Sequence, residues 1–109
     1  MTVFTKRLKT ARKHAGLSQE KLGILAGMDE MSASARMNQY ERGKHVPDFS
    51  IVEKLASVLQ LPSAYFYASD DDLANLIKYF HQLNSIDKKR TISILRIMQN
   101  SSLTNQEDE

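Results

Sequence analysis

The sequence predicts an all-α chain, five short helices followed by a two-helix hairpin, and three observations carry that prediction. Apolar residues recur three and four apart in nearly every segment, the spacing that lines one face of a helix. Breakers separate the segments, at Gly16, Gly27, Gly43-Pro47 and Pro62. Ser or Asp stands at the head of most of them, where a short oxygen-bearing side chain takes a free amide of the first turn. A length of 109 residues with 41% hydrophobic side chains suits one compact unit.

The first helix runs from about Phe4 to Ala15, with Phe4, Leu8, Ala11 and Ala15 on one face and Lys6, Lys9 and Lys13 on others. Gly16 ends it, Ser18 caps the second, and Leu22, Leu25 and Ala26 form that helix's stripe before Gly27 stops it. Gly23 lies mid-helix, where glycine costs about 1 kcal/mol relative to Ala; close approach by the next helix explains its presence. In the third helix Ala33, Met37 and Tyr40 face inward, leaving Ser34, Ala35 and Asn38, flanked by Arg36 and Gln39, outward. The breaker Gly43 to Pro47 follows. Asp48 then caps a fourth helix carrying Phe49, Val52, Leu55, Ala56 and Leu59.

Leu61-Pro62-Ser63 introduces a short fifth helix, Ala64 to Tyr67, whose aromatic cluster Tyr65-Phe66-Tyr67 is placed to fasten the carboxy-terminal helices to the core. Ser69 to Asp72 reads as the next helix start, followed by Leu73, Leu76, Ile77, Phe80 and Leu83. Its three aspartates diverge around the helix axis, which argues against a metal site. Ser85-Ile86-Asp87 opens the last helix, and Ile92, Ile94, Leu95, Ile97 and Met98 give it more than one apolar stripe. A surface that wide is expected to meet both its own domain and a second subunit; the alternative is full burial within one monomer. The expected organisation is a domain over 1–67, a dimerising hairpin over 68–100 and a polar, flexible tail over 101–109 with only Leu103 apolar.

The outward face of the third helix is the chemically loaded surface. Amide side chains pair two-pronged with adenine and guanidinium groups with guanine in the major groove, each good pair contributing about 1–3 kcal/mol of discrimination. Charge is distributed to match. Residues 1–46 hold nine cations and four acids, a net of +5, while the remainder holds six cations and nine acids, a net of −3.

Other chemistries find no support. With no cysteine there is neither a disulfide framework nor a thiolate zinc site, in keeping with a cytoplasmic protein. His14, His45 and His81 form no ligand-spaced pair, and no phosphate loop or nucleophile elbow is present, so neither metal, cofactor nor enzymatic activity is expected. No secretory h-region follows Met1, and no apolar run approaches the roughly 18 residues that span a bilayer.

Leu17-Ser18-Gln19-Glu20, the small Gly23, the turn glycine Gly27, the apolar Met37 and the run Tyr40-Glu41-Arg42-Gly43-Lys44 resemble the helix-turn-helix of the XRE family, the lambda-repressor and Cro class of regulators, over about residues 4 to 67. One departure stands out. The family has about six residues from the turn glycine to the apolar position, whereas Gly27 to Met37 spans ten, so roughly four residues within Asp29 to Ser34 are inserted and the third helix begins at Ser32 or at Ser34.

The resemblance implies a lambda-repressor-like fold and double-stranded DNA as partner. It gives Ser18 and Gln19 a place at the phosphate-facing start of the second helix, with Gln19 also bracing a base-reading side chain. Ser34, Ala35 and Gln39 fall on base-contact positions, with Arg36 and Asn38 beside them. Arg42, Lys44 and the amides around Gly43 correspond to the family's phosphate clamp, and Arg12 and Glu41 to a buried ion pair. The implied activity is transcriptional regulation, as a repressor, by a homodimer on a palindromic operator. Two alternatives stay open: an antitoxin whose hairpin covers a toxin, and a protein-interaction module using the enlarged turn. No effector pocket is marked.

Overall fold

The protein is described here by a computed structural model covering residues 2–107, with side chains over residues 2–102. Among these residues six α-helices and one 3-10 turn follow in order: α1 (Val3–His14), α2 (Gln19–Leu25), α3 (Ala33–Glu41), α4 (Phe49–Leu59), the 3-10 turn Ser63–Tyr67, α5 (Asp71–Gln82) and α6 (Ser85–Glu107). They form two compact units that divide at Lys78 and Tyr79, inside α5. The early part of α5 belongs to the first unit because Ala74 is buried there and Ile77 packs beside it.

Caps fix the helix starts. The hydroxyl of Thr2 accepts the Thr5 amide ahead of α1, Ser18 accepts from Lys21 ahead of α2, and Asp48 accepts from Ile51 ahead of α4. Asp70 accepts the Leu73 amide at α5, and Asn84 the Asp87 amide at α6. Two of the three acids after Ser69 thus have structural partners: Asp70 the cap, and Asp71 an ion pair with Arg7 at 3.0 Å.

The first unit closes over Leu8, Leu22, Met37, Val52, Leu55 and Phe66, all fully buried. Phe66 lies against Phe4 with ring centroids 6.1 Å apart and against Tyr65 edge-on at 5.3 Å. Arg7 stacks over Tyr65 and donates twice to the Ala68 carbonyl, at 2.9 and 3.0 Å. The aromatic cluster therefore fastens α1 to the 3-10 turn.

Several positions depart from the sequence pattern. Leu25 is 49% exposed, with Ile24 packing in its place, and Phe49 is 60% exposed at the open first turn of α4. Ala15 is exposed because it is the residue on which α1 ends. Leu73 and Leu76 also face solvent, since α5 turns Ala74 and Ile77 to the core. In the second unit no described residue of α6 is buried, and Ile94, Ile97 and Met98 are each more than half exposed. This helix also continues to Glu107, through most of the segment expected to be a flexible tail. Polarity disfavours burial but does not break a helix, and neither Gly nor Pro occurs after Pro62 to end it. The side chain of Leu103 and residues 108 and 109 lie outside the described residues.

Candidate nucleic-acid interface

The interface is built on the packing of α2 against α3. A methyl group on Gly23 would stand 2.9 Å from the Ala33 Cβ and 3.1 Å from both the Met28 Sδ and the Met37 Cγ, so this close crossing requires the missing side chain. The expected approach at Gly23 is therefore present. Ala33, Met37 and Tyr40 turn inward and are buried, fixing the rotation of α3 about its axis. That rotation leaves Ser34 and Ala35 exposed and Arg36, Asn38 and Gln39 partly so, side by side along one surface.

Helix α3 begins at Ala33, between the two starts the insertion allowed, and Ser32 makes no side-chain cap bond. The enlarged connection is an ordered turn. Gly27 takes φ +94, a left-handed conformation, and Met28 drops back into the core. The Asp29 carboxylate then accepts the Met31 amide at 3.1 Å, and its carbonyl accepts the Ser32 amide at the same distance.

Behind α3 a buried polar network holds the assembly. Arg12 donates from Nε and Nη2 to the two carboxylate oxygens of Glu41, at 2.6 and 3.0 Å, and from Nη1 to the Leu17 carbonyl at 3.0 Å. This is the ion pair the resemblance implied. The Glu41 hydrogen bond and charge raise the Arg12 pKa above its ordinary value, while burial opposes them. Gln19 donates from Nε2 to Glu41 Oε1 at 3.3 Å, using one of its two N–H groups and leaving the other to a ligand. Ser18 is exposed; its oxygen is occupied by the Lys21 amide, but its hydroxyl proton is available to a phosphate.

Arg36 donates to the Tyr40 hydroxyl at 3.2 Å, which steadies a guanidinium that otherwise faces outward. Arg42 and Lys44 are both exposed beyond the end of α3. The amides around Gly43, which the resemblance gave to a phosphate clamp, are bonded within the chain. The Arg42 amide donates to Asn38, Gly43 to Tyr40, and Lys44 and His45 both to the Gln39 carbonyl, completing the helix end.

Two exposed apolar residues beside this surface went unmarked by the sequence pattern. Val46 is 89% exposed in the loop after α3, and Met31 is 93% exposed in the turn before it. The usable signal for Met31 was its position inside an insertion, three residues after a methionine that the core needs. Among the described residues there is no group of three metal-ligating side chains and no helix long and apolar enough to cross a membrane.

A family model described as a helix-turn-helix domain matches residues 4–64. Among solved structures, the crystal structure of the transcriptional regulator BswR is 50% identical in sequence, with a TM-score of 0.79, over 88% of this chain and 93% of its own. No curated protein matches.

Proposed function

The chain belongs to the helix-turn-helix family as a DNA-binding transcriptional regulator of the XRE type, and from that premise we propose that it is a repressor that binds a palindromic operator as a homodimer. One observation carries the reading: burial of Ala33, Met37 and Tyr40 presents Ser34, Ala35, Arg36, Asn38 and Gln39 together on the free side of α3. A helix fits the major groove, and these outward groups include the amides and guanidinium that distinguish base pairs there.

Ser18, Gln19, Arg42 and Lys44 contact phosphates in this proposal and set the register of α3 without reading sequence. Gln19 suits that part because Glu41 already orients its amide. The exposed Ile94, Ile97 and Met98 of α6 supply the subunit contact, since apolar side chains gathered on one solvated helix are stabilised by a second copy. Repression follows from occupancy, with a bound dimer excluding polymerase from the promoter.

Selection from random duplexes tests the whole reading. The expected product is an inverted repeat with half-site centres about 10 base pairs apart or a multiple of that. Asn38→Ala and Gln39→Ala each relax preference at particular positions. Selected pools without symmetry would remove the dimer, and unchanged preferences in both variants would remove α3 as the reader.

A further inference from the structure

We propose that Met31 is a second sequence reader, making an apolar contact with the C5 methyl group of a thymine at one edge of each half-site. The inference rests on the DNA-binding reading above and assigns a role to the inserted turn. That turn is built to hold its shape. Met28 anchors one side in the core, and the Asp29 carboxylate and carbonyl take the amides of Met31 and Ser32. The Ser32 carbonyl in turn accepts the Arg36 amide at 2.9 Å, joining the turn to the first turn of α3.

What this scaffold displays is an apolar side chain at 93% exposure, two residues ahead of the helix. Three features point it toward bases. The exposed residues that follow, Ser34 and Ala35, are short, so the leading end of α3 can approach the groove floor closely but has little reach of its own. Met31 supplies reach, with a flexible and polarizable chain that adapts to an apolar contact. The turn also carries Asp29 and Glu30, whose like charge disfavours a place against phosphate, so a favourable contact of this turn with DNA is one made by the apolar Met31. The thymine methyl is the apolar landmark on base edges. Polar reading would then fall to Arg36, Asn38 and Gln39, and apolar reading to the turn.

Deoxyuridine in place of thymine removes only that methyl and keeps base pairing. Each thymine of the selected operator is replaced in turn, and binding is measured for the unaltered protein, Met31→Ala and Asn38→Ala. The unaltered protein should lose roughly fourfold in affinity at one thymine per half-site, the value of burying a single methyl group. Met31→Ala should bind the thymine and deoxyuridine duplexes alike, while Asn38→Ala keeps the difference. Full discrimination by Met31→Ala, or none by the unaltered protein, overturns the inference while leaving DNA binding intact. If Met31→Ala keeps discrimination but loses self-association, the turn is a protein contact and the inference falls. An unaltered protein that retains no duplex at any salt concentration would instead remove the DNA-binding reading itself.

Discussion

The two compact units treat their apolar residues in opposite ways. Every buried hydrophobic residue among those described, from Leu8 to Ala74, lies in the first unit, which spans residues up to Lys78. In the second, Ile86, Ile92, Ile94, Leu95, Ile97 and Met98 all remain exposed. One unit buries enough apolar surface to form a core and leaves separate apolar residues such as Met31, Val46 and Phe49 outside it; the other, among its described residues, buries none and keeps its apolar surface available. The proposed function assigns recognition to the first and assembly to the second, so each assignment can be broken separately.

The largest effect should come from the second unit. Replacing both Ile94 and Ile97 by Asp puts charges on an exposed α6 surface and leaves the first unit's core untouched. Sedimentation should show the dimer replaced by monomer. Operator affinity should fall by about 10²- to 10⁴-fold, the usual advantage of linking two binding events, with affinity for an isolated half-site retained. An unchanged sedimentation coefficient would break the assignment of assembly to this helix.

Next in size is a stability effect confined to the first unit. Arg12→Met strands the carboxylate of Glu41, which is 3% exposed, and should cost about 3–5 kcal/mol in urea unfolding. Adding Glu41→Leu to that variant should restore much of the loss, because an apolar pair leaves no buried charge behind. Gly23→Ala should be milder. The added methyl would stand 2.9 Å from a Cβ fixed to the α3 backbone, and overpacking of about 1–3 kcal/mol outweighs a helix-propensity gain of at most about 1 kcal/mol. A raised Tm would show that α2 and α3 can separate at little cost.

How far the sequence could be read follows the same division. Helical spacing found Leu8, Leu22, Met37, Val52 and Leu55, all essentially inaccessible, because a stripe and a core face coincide in the middle of a packed helix. It misplaced Leu25 because α2 has only seven residues and its contact line is drawn toward Gly23. At 100° per residue, Leu25 points some 160° away from that glycine. Thr5 was missed for a different reason. Its hydroxyl donates to the Thr2 carbonyl at 2.9 Å, so a polar residue can be 3% exposed without an unsatisfied group. On the candidate site, spacing marked the outward face of α3. The inward bonding of the amides at 42–45 and the outward Met31 depend on how two turns close, which no periodicity encodes.

Lys44→Ala sharpens the comparison at the interface itself. Its side chain is exposed and makes no contact with the core, so stability should be unchanged. Affinity should drop for all sequences alike, and the slope of log affinity against log salt should become shallower by about one. A drop confined to certain sequences would make Lys44 a reader.

The smallest expected effect separates the units by pH. The Asp48 carboxylate is held below its ordinary value of 3.8, first by the Ile51 amide and then by the Ser50 hydroxyl. A depressed value in the folded state means that the ionised form favours folding. That contribution is complete above the ordinary value and is lost as pH falls through the depressed one. Asn caps a helix nearly as well as Asp but does not titrate, so Asp48→Asn should match the unaltered protein at pH 7 and show a shallower loss of stability below about pH 4. Helix α6 is capped by the neutral amide of Asn84, which accepts the Asp87 amide at 2.8 Å, and so carries no titrating cap. Amide exchange across α4 and α6 should therefore show Asp48→Asn changing the acid response of the first helix and not that of the second. An equal change in both would mean that the two units do not unfold independently.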